Sequence, residues 1–384
     1  MLPKTADVVI IGGGVMGVSS AYHLARRGCQ NVVLLERDDF LGSEATGKCA
    51  GGIRYQFSTE INVRLSMLSL PMLERFEDEL GQPIDLRWTG YLFLIDNESD
   101  LEISRQNVAM QNRLGIASCL LEKKDVKAMV PLINLDGVIA GSWYEHEGLA
   151  DPSSVVQGYA AGARRAGAQF HTGVTVTGIN VTAGRVTGVE TTEGAIAAPV
   201  VLNAAGPWAG QVAALAGIDV PIAPMRRQIV VTTPLPEVPP TFPFVIDYRT
   251  GLYFHREGQG ILSGQANPEQ PAGFDQSIDH EWTEKHLEAA VQRFPLLAKA
   301  GLFREWAGLY EVTPDAHPVL GAVDELAGFY VAAGFSGHGF MHGPITGLLL
   351  SELILDGRAI SLDIHQLRHS RFLEGDLVVE QNVV

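Results

Sequence analysis

A chain of 384 residues with 46% hydrophobic and 19% charged residues can fill a large core, and its length predicts one compound body or two interleaved domains. A net charge of −16 argues against nucleic acid, which selects basic surfaces. Cys29, Cys49 and Cys119 form no CxxC pair and no disulfide framework, and the longest apolar runs, such as Gly347–Leu350, fall far short of the ~18 residues of a membrane span. Only Lys4 is basic ahead of Ala6, so no signal peptide is read there, and the expected setting is the cytoplasm, away from membranes.

In chain order, Asp7–Ile11 is a short run of β-branched residues without alternation, the pattern of a strand buried on both faces. It ends in Gly12-Gly13-Gly14-Val15-Met16-Gly17, a GxGxxG. A helix with Ala21, Leu24 and Ala25 at helical spacing follows, closed by Gly28. Val32–Leu35 is a second buried strand and ends at Glu36, 19 residues after Gly17. In such a βαβ unit the first glycine permits the tight turn, the second lets a pyrophosphate approach the backbone, and the third lets helix and strand pack closely. The pyrophosphate faces the free N–H groups of the helix, and an acid at Glu36 suits ribose hydroxyls while disfavouring a 2′-phosphate. The unit by itself does not separate FAD from NAD.

Two later segments make that separation. Gly173–Val189 reads as a hairpin, Val174–Val176 against Arg185–Val189 with a turn at Ala183-Gly184, followed by the strand Val200–Leu202 and the small-residue turn Ala204-Ala205-Gly206-Pro207-Trp208. This order resembles the flavin-type Rossmann domain of the glutathione-reductase-like superfamily. Near the end of the sequence the strand Gly328–Ala333 leads into a Gly-rich loop, Gly334–Gly343, and Pro344 is expected to open a helix running through Leu350 and Leu353. A loop of backbone N–H groups at a helix start can stabilise negative charge on a reduced flavin.

Taken together, the GxGxxG with Glu36, the segment Ala45–Arg54, Gly308-Leu309-Tyr310-Glu311-Val312-Thr313-Pro314-Asp315 and Gly334–Met341 resemble the D-amino-acid-oxidase/sarcosine-oxidase family of FAD enzymes, in the family's order and over nearly the whole chain. The β-type subunits of sarcosine oxidase and of dye-linked L-proline dehydrogenase are the most similar branch. The resemblance implies an α/β fold with a glutathione-reductase-like FAD domain at 1–85, 145–220 and 315–370. A mainly antiparallel substrate domain would take 86–144 and 221–314, with 371–384 a peripheral tail. Tyr91–Ile95, Gln228–Thr232 and Leu252–Phe254 read as strands of the second domain, and Pro234–Pro243 as a loop.

The resemblance also implies the chemistry. Family enzymes oxidise a C–N bond, a hydride passing from the carbon beside nitrogen to the flavin, and the imine then hydrolyses. FAD contacts are implied for Gly12, Gly14, Val15, Met16 and Gly17, for Glu36 and Arg37, and for Ser43, Thr46, Lys48, Cys49, Ala50, Gly51 and Gly52. They are implied further for Val174, Ala205, Gly206 and Trp208, and for Gly308, Tyr310, Gly334, Gly337, His338, Gly339, Phe340 and Met341. Arg54 matches the residue that holds the substrate carboxylate in sarcosine oxidases. A planar guanidinium suits that task, the alternatives being a structural ion pair or a phosphate contact. Tyr253 and His255 fall in a strand that lines the substrate cavity of relatives, and His338 is a donor to the flavin or a support for the neutral amine. Each of the three is otherwise a packing residue.

Several departures matter. Met341 stands where sarcosine oxidases commonly carry a second carboxylate-binding Lys. Gly308 stands near their covalent-flavin Cys, so FAD is expected to be non-covalent. Leu262 falls near a Lys linked to oxygen activation, and Ala150 near a His that carries a second flavin. Tyr310 replaces the Arg of glycine and D-amino acid oxidases. The expected substrate is therefore a small secondary or N-methyl amino acid, sarcosine or L-proline, with oxygen or another electron acceptor and room for a partner subunit. Glycine or D-amino acid oxidation is one alternative, and a flavin-bound non-catalytic subunit or assembly factor is the other. No metal is expected, since the histidines and cysteines are scattered.

Overall fold

A computed structural model describes residues 1–383. A six-stranded sheet runs in the order Val319–Ala322, Phe329–Ala333, Val200–Asn203, β1 (Val8–Ile11), β2 (Val32–Leu35) and Gln169–His171, parallel except for its first pair. The missing alternation in β1 and β2 has a direct cause. Val8, Ile10, Val32 and Leu34 pack into the cluster on one face, while Val9, Ile11, Val33 and Leu35 pack into that on the other. Between them, helix α1 (Val15–Arg26) starts immediately after the glycine turn.

An eight-stranded sheet forms the second layer, in the order Leu302–Val312, Ala223–Thr232, Gly260–Gln265, Tyr253–Glu257, Phe244–Asp247, Tyr91–Ile95, Ala140–Tyr144 and Cys119–Glu122. It is antiparallel apart from the pairing of Phe244–Asp247 with Tyr91–Ile95. One face carries Leu92, Leu94, Phe254 and Ile261 against Ala290 and Phe294. The opposite face presents Tyr91, Phe93, Phe244, Ile246 and Tyr253. The period of two along each strand thus sends one set of rings toward a core and the other toward the cavity described below.

Three expectations are corrected. The hairpin turns at Ala183-Gly184, but its first strand is Val176–Thr182, paired with Arg185–Thr191, and a third strand, Gly194–Ala197, adds to it. The helix expected to open at Pro344 begins five residues earlier and spans Gly339–Asp356. Proline normally breaks such a ladder. Here the Ser69 hydroxyl enters the gap next to it, donating to the Met341 carbonyl at 2.6 Å and accepting from the Ile345 N–H at 3.4 Å.

The third correction concerns the tail at 371–384, whose last residue, Val384, lies outside the described residues. It reads as peripheral, and residues 373–379 are exposed, yet Arg371 is 1% exposed and Glu380 3%. The Arg371 guanidinium grips both carboxylate oxygens of Asp315 at 2.8 and 2.9 Å and also donates to the His317 carbonyl at 2.9 Å. Burial works against the Asp315 carboxylate, but the Arg371 bonds outweigh it and hold its pKa below the usual range. Charge counting along the sequence does not reveal that two of the charges meet buried partners.

Arg371→Ala leaves Asp315 buried without its counter-charge and is expected to cost ~3–5 kcal/mol of stability, read as a lower Tm or denaturant midpoint. A loss under ~1 kcal/mol would mean that water reaches and solvates the carboxylate.

Candidate functional site

A cavity of about 400 Å³ runs from the end of β2, past the start of α1, to the ring-bearing face of the eight-stranded sheet. At its first end Gly12 has φ +110°, and a Cβ there would strike the Ala204 carbonyl. A Cβ on Gly17 would strike the Gly12 carbonyl, so strand and helix meet backbone to backbone. The first turn of α1 contains no acidic residue, which leaves its positive end free for a phosphate. Glu36 sits at the end of β2, its carboxylate accepting from Gly13 N–H at 2.6 Å and Asp38 N–H at 2.9 Å. Burial raises its pKa, and those two bonds oppose the rise. Beyond it the Arg37 guanidinium lies 3.7 Å from the Trp208 ring centre, and both residues line the cavity with Val174. Small side chains, a bare helix N-terminus and a carboxylate at the end of β2 fit a flavin dinucleotide.

At the other end Arg54 follows the two-residue strand Gly52–Ile53 and is 4% exposed. Its guanidinium stacks 3.9 Å from the Phe57 ring centre, donates to the Gln56 carbonyl, and donates to the Asn382 carbonyl at 2.5 Å. Burial lowers its pKa, and Tyr91, Glu380 and Glu147 counter that effect. Among the described residues no carboxylate lies within 4.0 Å of it. Glu147, fully buried, accepts from the N–H groups of Tyr55 and Gln56 and from the Gln56 amide, and so supports the loop that carries Arg54. Burial pushes the Glu147 carboxyl up to about 7, against those bonds and the Arg54 charge. Tyr91, Phe244, Tyr253 and Tyr310 complete an aromatic wall, with Tyr91 stacked on Phe244 at 4.3 Å.

His338 caps the helix Gly339–Asp356 and lines the cavity, 1% exposed, with neither ring nitrogen bonded. Its ring packs edge-on to Phe57 at 5.3 Å and to His342 at 5.2 Å. Burial, then the neighbouring His342, His317 and Arg54, lowers its pKa well below the ordinary value; burial takes His342 to about 3. Both imidazoles are neutral near pH 7.

The cavity wall brings together most of the residues singled out from sequence. Gly12, Gly14, Val15, Met16, Glu36, Arg37, Ser43, Thr46 and Cys49–Gly52 line it, as do Val174, Ala205, Gly206, Trp208, Tyr310, Gly337, Gly339, Phe340 and Met341. Arg54, Tyr253 and His338 do so too. Five residues do not line it. Gly17 is buried between helix and turn. Lys48 is drawn aside by Glu44 at 2.9 Å and Gln276 at 2.7 Å, and its Cβ covers Gly308. Gly334 lies against Thr313. His255 shares the face of Tyr253 but stands two residues further along, packed against Phe244 and bonded to the Arg256 carbonyl at 3.0 Å. Burial lowers its pKa to about 4. Leu262 is also off the wall, buried in the cluster beside Tyr253.

Sequence reasoning missed Glu311, Tyr91, Phe244, Ile246 and Val383, all on the wall. Glu311 was legible only as part of the Gly308–Asp315 segment. Its carboxyl accepts from Phe335 N–H at 3.3 Å, has one unpaired oxygen, and burial pushes it up to about 7. Val383 carried no signal, because nothing in the local sequence indicates a return to the cavity.

Residues 7–353 match the family model described as FAD dependent oxidoreductase, DAO. Human sarcosine dehydrogenase, mitochondrial, is 33% identical over 96% of this chain but only 42% of its own length, so the chain spans less than half of that relative. FAD-dependent oxidoreductase domain-containing protein 1 of Xenopus laevis is 33% identical over 100% of this chain and 85% of its own. The solved structure of L-proline dehydrogenase from P. horikoshii superposes with a TM-score of 0.91 at 34% identity, covering 98% of this chain and 100% of the other. The chain therefore belongs to the DAO family of FAD-dependent oxidoreductases, with FAD as its cofactor.

Proposed function

We propose that this chain oxidises the C–N bond of a small secondary or N-methyl amino acid, with sarcosine and L-proline the leading candidates. The observation that carries the reading is Arg54, a buried guanidinium on the cavity wall that is held by two neutral carbonyls and has no carboxylate partner among the described residues. A buried charge without a counter-ion is costly, and a substrate carboxylate would supply one in a bidentate geometry. The aromatic wall of Tyr91, Phe244, Tyr253 and Tyr310 suits the alkyl part of a secondary amine. The names of the relatives, sarcosine dehydrogenase and L-proline dehydrogenase, agree with this substrate class.

FAD, when bound, supplies the acceptor for the electron pair that leaves the C–H bond. The side chains bind, orient and keep water out. Arg54 fixes the carboxylate end, and the largely apolar, aromatic lining disfavours the charged ammonium form of the amine, with His338 on the wall uncharged. In this reading the six-stranded sheet carries the FAD domain and the eight-stranded sheet the substrate domain. Leu262 belongs to the cluster on the cavity-facing side of the sheet but does not line the cavity, and the choice between oxygen and another acceptor is left to the turnover panel below. Among the described residues no helix is long and apolar enough to cross a membrane. The cytoplasm is kept as the proposed compartment, to be checked by fractionation because sarcosine dehydrogenase is mitochondrial by name.

The deciding experiment is a turnover panel of sarcosine, L-proline, glycine and D-alanine, each with oxygen and with a dye acceptor. The two secondary amino acids should lead in kcat/KM by the ~1–3 kcal/mol that one alkyl group is worth in an apolar pocket. Equal or faster glycine turnover would overturn the assignment.

Acid should release all the flavin as free FAD. Glu36→Ala, which removes a charged acceptor, should weaken FAD retention by ~1.5–3 kcal/mol in dialysis or fluorescence titration. Unchanged retention would remove Glu36 from the ribose position.

Arg54→Ala should raise KM for the amino acid by at least ~100-fold while FAD content is kept, as expected for losing a desolvated charge-assisted pair. An unchanged KM would leave Arg54 a purely structural residue.

The rate should climb with pH toward the substrate amine pKa, because the neutral amine fraction grows while His338 is already deprotonated. A limb near pH 6 that disappears in His338→Gln would instead assign the titration to the imidazole.

A further inference from the structure

The segment that closes on Arg54, residues 380–383, has no regular secondary structure and is held by side-chain hydrogen bonds. The Glu380 carboxylate accepts from Ser58 N–H at 2.7 Å and Ser58 hydroxyl at 2.6 Å through one oxygen. The other oxygen accepts from Thr59 N–H at 3.1 Å, Thr59 hydroxyl at 2.6 Å and the Asn62 amide at 3.0 Å. These donors sit at the start of helix α2 (Glu60–Glu74), where a negative charge is favoured. Burial alone would raise the Glu380 pKa, but the Ser58, Thr59 and Asn62 bonds outweigh it, so the group is a carboxylate. Its charge is spent on the helix start and does not touch Arg54.

Two residues later the chain reaches the site. The Asn382 N–H returns to Glu380 at 2.9 Å, its side-chain oxygen accepts from the Tyr248 hydroxyl at 3.0 Å, and its amide donates to the Gln56 carbonyl at 3.3 Å. Those three bonds fix the Asn382 carbonyl that accepts from Arg54, and Val383 then lines the cavity. A guanidinium has five N–H donors. The carbonyls of Gln56 and Asn382 take one from each terminal nitrogen, which sets the plane of the fork. Neither neutralises it, so the positive charge stays available.

We propose that residues 380–383 form a strap that positions Arg54 for the substrate carboxylate, with Glu380 as its anchor and Asn382 as the residue that sets the direction of the guanidinium. The inference rests on the carboxylate-binding reading of Arg54. Glu380 and Tyr248 are positioning residues, since neither is bonded to the guanidinium and both bond Asn382.

The test uses the full-length, FAD-loaded protein with Glu380→Gln, Tyr248→Phe and Arg54→Ala, and acetate as the probe, titrated through the change it makes in the flavin absorbance. Glu380→Gln should weaken acetate binding and raise KM for the oxidised amino acid by about tenfold, with kcat within about twofold and FAD content retained. Tyr248→Phe, which keeps the ring and loses one bond to the strap, should shift both in the same direction by about threefold and decides the matter if Glu380→Gln does not fold. A fall in FAD content and kcat together, with acetate affinity unchanged in the loaded fraction, would reduce the strap to a structural element and overturn the inference. If Arg54→Ala abolishes acetate binding while both strap variants keep it, the strap alone fails. If Arg54→Ala leaves acetate binding intact, the carboxylate reading of the site fails, and the strap inference with it.

Discussion

A cation buried in the wall of an apolar cavity must be held without being neutralised, and much of this structure follows from how Arg54 meets that condition. Direct pairing with a protein carboxylate would relieve the burial cost but would consume the charge. The fold takes another route. Two carbonyls and a phenyl face hold the guanidinium, while Glu147 and Glu380 stand near enough to support its ionised form. Each carboxylate is occupied by other donors, Glu147 by the Tyr55–Gln56 loop and Glu380 by the start of α2.

The same economy appears at the other end of the cavity. The start of α1 has no acidic side chain to quench it, and Glu36 is held by the N–H groups of Gly13 and Asp38 at the end of β2. Backbone N–H groups at the start of α1 and the Arg54 guanidinium therefore stand at opposite ends of a cavity lined by many small, aliphatic and aromatic residues. A cofactor with phosphates at one end and a substrate with a carboxylate at the other match that distribution. Histidines kept neutral by burial add no third cation between them.

The helix Gly339–Asp356 shows how local sequence rules yield to tertiary contacts. Pro344 reads as a first-turn residue, because a proline deeper in a helix deprives one carbonyl of its donor and crowds the preceding turn. Ser69, 275 positions away in the sequence, inserts its hydroxyl beside the interruption, and the helix starts at Gly339. That earlier start puts His338 at the cap and Phe340 and Met341 on the cavity wall. His255 shows the converse. The two-residue period of its strand puts it on the correct face, but it packs against Phe244 and does not line the cavity.

By itself the sequence determined the nucleotide end of this protein. The glycine turn, the buried β-branched strands and Glu36 are contiguous or nearly so, and their conformations follow from steric rules that act within a few residues. It also determined the family, because the motifs spread along the chain occur in one order. Only the tertiary structure decided the Arg54 end of the cavity. Arg54, Gln56, Tyr248, Glu380 and Asn382 meet from separate parts of the chain, and whether a charged residue is solvated or buried depends on partners no local window contains. That is why 371–384 reads as a peripheral tail, whereas Arg371 and Glu380 are buried, Asn382 bonds Arg54 and Val383 lines the cavity.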